Sequence, residues 1–184
     1  MRRLAILPLL VLLAAPLTGC GHKLKYTTSG DTEGVVLDVG QLRYQVQISR
    51  QLNPSDIEDR EYLVGVKAAR SLPPGQLWFA VFMRVKNEHH GPHMAASTFD
   101  ITDTRGNVYK PVPIGGGNLF AYHASLVRGN GQIPDISSVA GTSPVGGSEL
   151  LFRLPEAALD NRPLVLHITQ PGGVPAEAIV NLDV

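Results

Sequence analysis

The chain has 184 residues, 43% of them hydrophobic, with 16 basic and 16 acidic side chains and a single cysteine. Balanced charge gives no sign of the basic face that nucleic acid requires, and one cysteine excludes an intrachain disulfide. Nineteen glycines and 14 prolines beside only 17% charged residues favour short strands joined by turns over long helices.

The N-terminus reads as an export signal. Arg2 and Arg3 form a basic start, and Leu4 to Leu17 is an apolar run interrupted by Pro8 and Pro16. A membrane-spanning helix needs roughly 20 apolar residues, more than this run supplies. A basic start and a short apolar run ending in small residues mark a signal peptide. The stretch Leu17-Thr18-Gly19-Cys20 resembles a bacterial lipobox. That resemblance implies recognition of Leu17, Thr18 and Gly19 by a signal peptidase, cleavage before Cys20, and a diacylglycerol on the Cys20 sulfur, with a further acyl group on the new amino terminus. One acyl chain anchors weakly, whereas two or more hold stably. The expected location is therefore the extracytoplasmic face of the cell membrane. Loss of residues 1–19 leaves 165 residues with a formal charge of −2, enough for one domain with its own core.

Residues 20–34 begin with the lipidated cysteine and continue as a polar, Gly- and Thr-containing stretch expected to be a flexible tether. The domain is expected over 35–184. Leu42, Tyr44, Val46 and Ile48 alternate with Arg43, Gln45, Gln47 and Ser49, the pattern of a half-buried strand. Asn53 to Asp56 is a turn cluster, and Tyr62 to Val66 is read as a further short strand. Leu77 to Lys86 is the strongest strand, with Trp78, Ala80 and Phe82 on the opposite face to Phe79, Val81 and Met83. Thr98 to Thr102, Val108 to Val112, Ser148 to Leu154, Leu164 to Thr169 and Ala178 to Val184 follow as strands, with a helical turn at Pro155 to Asp160. About seven strands at this spacing predict an all-β, antiparallel sandwich with one long insert.

The order of motifs from about 42 to 169 resembles extracytoplasmic bacterial lipoproteins of the DUF4352-like, immunoglobulin-like group. The residues that carry the resemblance are Trp78-Phe79-Ala80-Val81-Phe82-Met83-Arg84-Val85-Lys86-Asn87, then Phe99 to Tyr109, then Gly147 to Pro155 and Arg162 to Ile168. It implies an immunoglobulin-like β-sandwich outside the cytoplasm and implies no catalytic residues.

Glu88-His89-His90-Gly91-Pro92-His93-Met94 concentrates imidazoles, a carboxylate and a thioether. Imidazole suits copper and zinc, and thioether suits cuprous ion. A turn at Gly91-Pro92 would bring His90 and His93 together, with His89 as a further candidate. The competing reading is a solvated hairpin tip. The insert between Val112 and Ser148 contains Phe120 and Tyr122, which either pin the loop to the sandwich or present aromatics to a partner. Asp100, Asp103 and Asn107 do not fit an EF-hand spacing. Gly115-Gly116-Gly117 lacks the Lys-Ser/Thr ending of a P-loop. No nucleophile elbow is present, and no free thiol remains once Cys20 is acylated. The chain is thus expected to be a non-catalytic interaction module, anchored by lipid and engaging an envelope protein. The alternative is a copper- or zinc-handling protein using His89, His90 and His93.

Overall fold

Alternating apolar side chains become strands, and runs that are apolar on both parities become strands covered twice. The computed structural model describes residues 25–183. In chain order the elements are β1 (Ser29–Gly30), β2 (Val36–Val39), β3 (Leu42–Leu52), α1 (Ile57–Tyr62), β4 (Gln76–Lys86), β5 (His93–Met94), β6 (Thr98–Thr102), β7 (Val108–Tyr109), β8 (Leu126–Val127), β9 (Gln132–Ile133), α2 (Val139–Thr142), β10 (Ser148–Pro155), a 3₁₀ turn at Glu156–Asp160, β11 (Leu164–Thr169) and β12 (Glu177–Leu182). Seven of the strands have four residues or more. One sheet runs β10-β4-β3-β2, with β9 added on β4, and the other runs β1-β12-β11-β6-β7. All pairings are antiparallel except β1 with β12. The fold is an antiparallel β-sandwich, as the strand pattern predicts.

The inter-sheet core joins Tyr44, Phe79, Met83 and Phe152 of the first sheet to Ile101, Leu164, Leu166, Ile168 and Val180 of the second. Each large side chain fully buried there contributes about 1.5–3 kcal/mol. A second apolar cluster lies on the outer face of the first sheet, where Leu52, Trp78, Ala80, Phe82 and Leu151 meet Leu63 and Val66. Val112, Ile114 and Val145 of the insert pack against it. This cover buries β4 on both faces, and the Trp78 indole N–H donates to Ala69 O at 2.8 Å beneath it.

The structure corrects three local expectations. Tyr62 to Val66 is not a strand, because the segment enters a helix at Ile57. Asp56 caps that helix, its Oδ1 accepting from Glu58 N at 2.8 Å and Asp59 N at 3.2 Å. Ile48 leaves the core face because a bulge between Val46 and Ile48 shifts the register. Ile48 is exposed and Ser49 is buried in its place, donating from N and Oγ to the Glu33 carboxylate. The folded part starts before Val35. Residues 27–34, read as tether, are bound to the sandwich through β1, through reciprocal Thr27 and Asp38 hydrogen bonds, and through Glu33, whose Oε1 also accepts from Asp183 N at 3.1 Å. The insert is also ordered. Pro111 and Ala121 bridge to Phe152 and Glu149 along the outer edge of β10, β8 pairs β5, and β9 pairs β4.

Candidate functional site

The outer-face cover brings together polar groups that the inter-sheet core lacks. Beyond the bulge, Arg50 stands on the same outer face as Leu52 and reaches Asp59, a buried carboxylate on α1. Asp59 Oδ2 also accepts from Asn53 N at 2.7 Å, which ties the turn to the helix. Burial works against the Arg50 charge, but the Asp59 hydrogen bond and Coulombic attraction outweigh it and hold the guanidinium above its ordinary range. The same guanidinium lies 5.6 Å from the centre of the Tyr62 ring, a cation–π contact. Tyr62 in turn meets Phe82 edge-on at 4.8 Å and Phe120 at 4.7 Å.

Asn118 stitches this assembly together. Its Nδ2 donates to Tyr62 O at 2.7 Å and Val64 O at 3.1 Å, while its Oδ1 accepts from Phe120 N and Ala121 N. Beside it Gly115 N donates to Gly65 O at 3.0 Å. A Cβ on Gly115 would stand 2.7 Å from that oxygen, so the two backbones approach this closely only because both residues are glycine.

Glu149 lies among these residues. Its backbone N–H donates to Phe120 O, and its carbonyl accepts from Tyr122 N. The residue is 1% exposed, and among the described residues neither carboxylate oxygen has a hydrogen bond of good geometry. Burial pushes its carboxyl up to about 8; the Arg50 charge and the Asn118 amide oppose that rise, and the Asp59 charge adds to it. Outside the cluster runs a groove of about 840 Å³, with Arg50, Asp56, Glu58, Glu61 and Tyr62 on one wall and Val139, Thr142, Ser143 and Val145 on the other. Carboxylates dominate the first wall, so the groove suits a ligand that brings positive charge or hydrogen-bond donors together with apolar surface.

Phe120 and Tyr122 are not freely exposed loop aromatics, although Phe120 reaches the lining of the groove. Phe120 is buried against Tyr62. Tyr122 packs edge-on against Phe99 at 5.2 Å and donates from its hydroxyl to Ala96 O at 2.8 Å. Ala96 N donates to Tyr44 OH at 2.7 Å, so two tyrosines grip one alanine. Large aromatics gain most by burial, and here they fasten the insert to the sandwich.

In the histidine loop, Asn87 sets the geometry. Its Oδ1 accepts from His89 N, and its Nδ2 donates to Gly91 O and Val127 O. The ring that meets His93 is that of His89, with centroids 5.4 Å apart, whereas the expected partner His90 is exposed at the tip. Among the described residues no three or more His, Cys, Asp or Glu side chains are grouped to hold a metal ion. Two imidazoles fall short of the three protein ligands that even an open zinc site uses. Asp103 needs no ion: its carboxylate accepts from Arg105 N, Asn107 N, Asn107 Nδ2 and Tyr109 OH. The Asn107 side chain, ahead of the other donors, holds it below the usual carboxylate range. His167 lies on the outer face of the second sheet, bonded to Thr102 Oγ1 and Glu177 Oε1. Leu17, Thr18, Gly19 and Cys20 lie outside the described residues.

Sequence reasoning did not single out Arg50, Asp59, Asn118 or Glu149. The available signal was Glu149 itself, an acid on the same parity as Leu151 and directly before the apolar run Leu150-Leu151-Phe152.

No protein-family model matches the chain, and no curated protein matches it. Among solved structures it is similar to the yjhA protein from Bacillus subtilis, at 11% identity over 83% of this chain and 99% of that one, with a TM-score of 0.53. An uncharacterized β-sandwich protein from Clostridium difficile 630 matches at 11% identity over 86% and 98% of the two chains, with a TM-score of 0.44. At this identity the likeness to the Bacillus protein shows a shared fold alone, the antiparallel β-sandwich.

Proposed function

We propose that the chain is a non-catalytic binding module held at the extracytoplasmic face of the cell membrane by lipid on Cys20. The observation that carries this reading is Leu17-Thr18-Gly19-Cys20 at the end of a short apolar leader, only nine residues ahead of the first strand of the sandwich. The acidic groove between α1 and the 139–145 segment is the contact surface, and a cation-bearing segment of an envelope protein is its ligand. A rigid β-scaffold suits this work, since binding residues commonly sit on loops that such a scaffold positions.

Intact-mass analysis of the native protein tests the anchor. The expected mass is that of a chain beginning at Cys20 with acyl groups attached; an unmodified full-length chain overturns the reading. Crosslinking in intact envelopes tests the groove. A specific partner should be recovered by the native protein and lost from a Glu58→Lys/Glu61→Lys variant. Recovery unchanged by that double charge reversal removes the groove from the proposal.

A further inference from the structure

The end of the sandwich where the described chain begins carries a surface that the groove does not use. Lys25 and Tyr26 lie beside Gly40, Gln41, Arg43, Glu88 and His89. Gly40 and Gln41 also border the adjoining cleft, where His93 and Met94 face Val174 of the β11–β12 turn. Met94 stands directly opposite Leu126 in the β5–β8 pair, so their side chains share a face. Met94, Leu126 and Val174 are each more than half exposed, and Tyr26 is exposed in the neighbouring cleft, across Gly40 and Gln41.

We propose that this end docks on a lipid surface, with Tyr26, Met94, Leu126 and Val174 entering the headgroup boundary of the membrane that holds Cys20. The inference rests on the acylation of Cys20 proposed above. Five residue steps separate Cys20 from Lys25. Extended chain spans at most about 3.6 Å per residue, so Lys25 lies within about 18 Å of the acylated sulfur. The opposite end of the sandwich, where β3 finishes and α1 begins, is farther by the length of an 11-residue strand, about 36 Å. The tethered end is therefore the one that meets the bilayer. Its side chains suit a lipid boundary, because tyrosine is enriched at membrane interfaces and Lys25 matches anionic headgroups in charge. Docking there leaves the acidic groove clear of the membrane.

Because lipid occupies the only native thiol, an added cysteine is a unique attachment point. Spin labels are placed at M94C, V174C and, on α1, I57C in the full-length acylated protein. The protein is reconstituted in vesicles of phosphatidylcholine and phosphatidylglycerol in equal amounts. The expected result is a several-fold lower collision rate with a water-soluble relaxation agent at 94 and 174 than at 57. Equal rates at all three positions, in protein whose mass shows acylated Cys20, overturn the docking and leave the anchor intact. A mass without acyl groups overturns both, since the distance argument then fails. Shielding at 94 and 174 that persists in a lipid-free Cys20→Ser protein reveals contact between copies and also overturns the docking.

Discussion

The two faces of the β10-β4-β3-β2 sheet are both buried, yet they are built differently. The inner face meets the second sheet with a largely apolar surface, where polar side chains such as Tyr44 and Ser49 are hydrogen-bonded. The outer face is covered by a helix and an insert that enclose the Asp59 end of an ion pair, an asparagine stitch and the buried Glu149 carboxylate. An apolar core tolerates no unpaired polar group without cost. A face that keeps Glu149 carries a free-energy penalty for it, and departures of this kind concentrate at functional sites. The contrast separates the face that makes the fold from the face that makes the groove.

The largest expected effect sharpens the first half of that contrast. Phe152 is fully buried between the sheets, so Phe152→Ala should cost about 3–5 kcal/mol by urea denaturation. It should also lower hydrogen-exchange protection in both sheets together.

Glu149→Gln tests the second half. Burial keeps the folded carboxyl protonated, so the unfolded chain loses its proton first as pH rises. Stability is then greatest below the ordinary value of 4.5 and declines as pH climbs toward about 8. Between pH 4.5 and about pH 7 the native protein should lose on the order of 3 kcal/mol relative to Glu149→Gln. Parallel stability–pH curves for the two proteins would mean that Glu149 is solvated and the contrast between the faces is false.

Gly115→Ala places a methyl group against Gly65 O and should cost about 1–3 kcal/mol. Its exchange signature should be confined to residues 62–66 and 113–121, with the inter-sheet strands still protected. Uniform loss of protection would make the insert part of the core rather than a cover. The smallest effect is expected from Asp56→Ala, about 1 kcal/mol, because it removes only the cap of a six-residue helix.

Much of the sandwich is legible in the residues. Leu164–Thr169 is a strand in pattern and in structure, and the turn after Pro155 and the strand around Trp78 form where the residues place them, because alternation with a period of two needs no knowledge of neighbours. The 57–62 helix is missed although Asp56, Glu58 and Asp59 carry a start signal, because Tyr62 to Val66 also alternates plausibly. Ile48 is misplaced because a single bulge reverses every later side chain, and nothing local marks it. The site is less legible still. Phe120 and Tyr122 draw attention as aromatics in a loop, while Asn118, which organises that loop, looks like any turn asparagine.

The amino-acid sequence by itself determined the long strands and the β-sandwich class, since alternation depends on residues close together in the chain. Only the tertiary structure decided which acid is sealed away, which aromatics are fasteners and which end of the sandwich carries Lys25. Those outcomes depend on what packs over each side chain, and residues as far apart as Arg50, Asn118 and Glu149 meet only when the insert closes on the sheet.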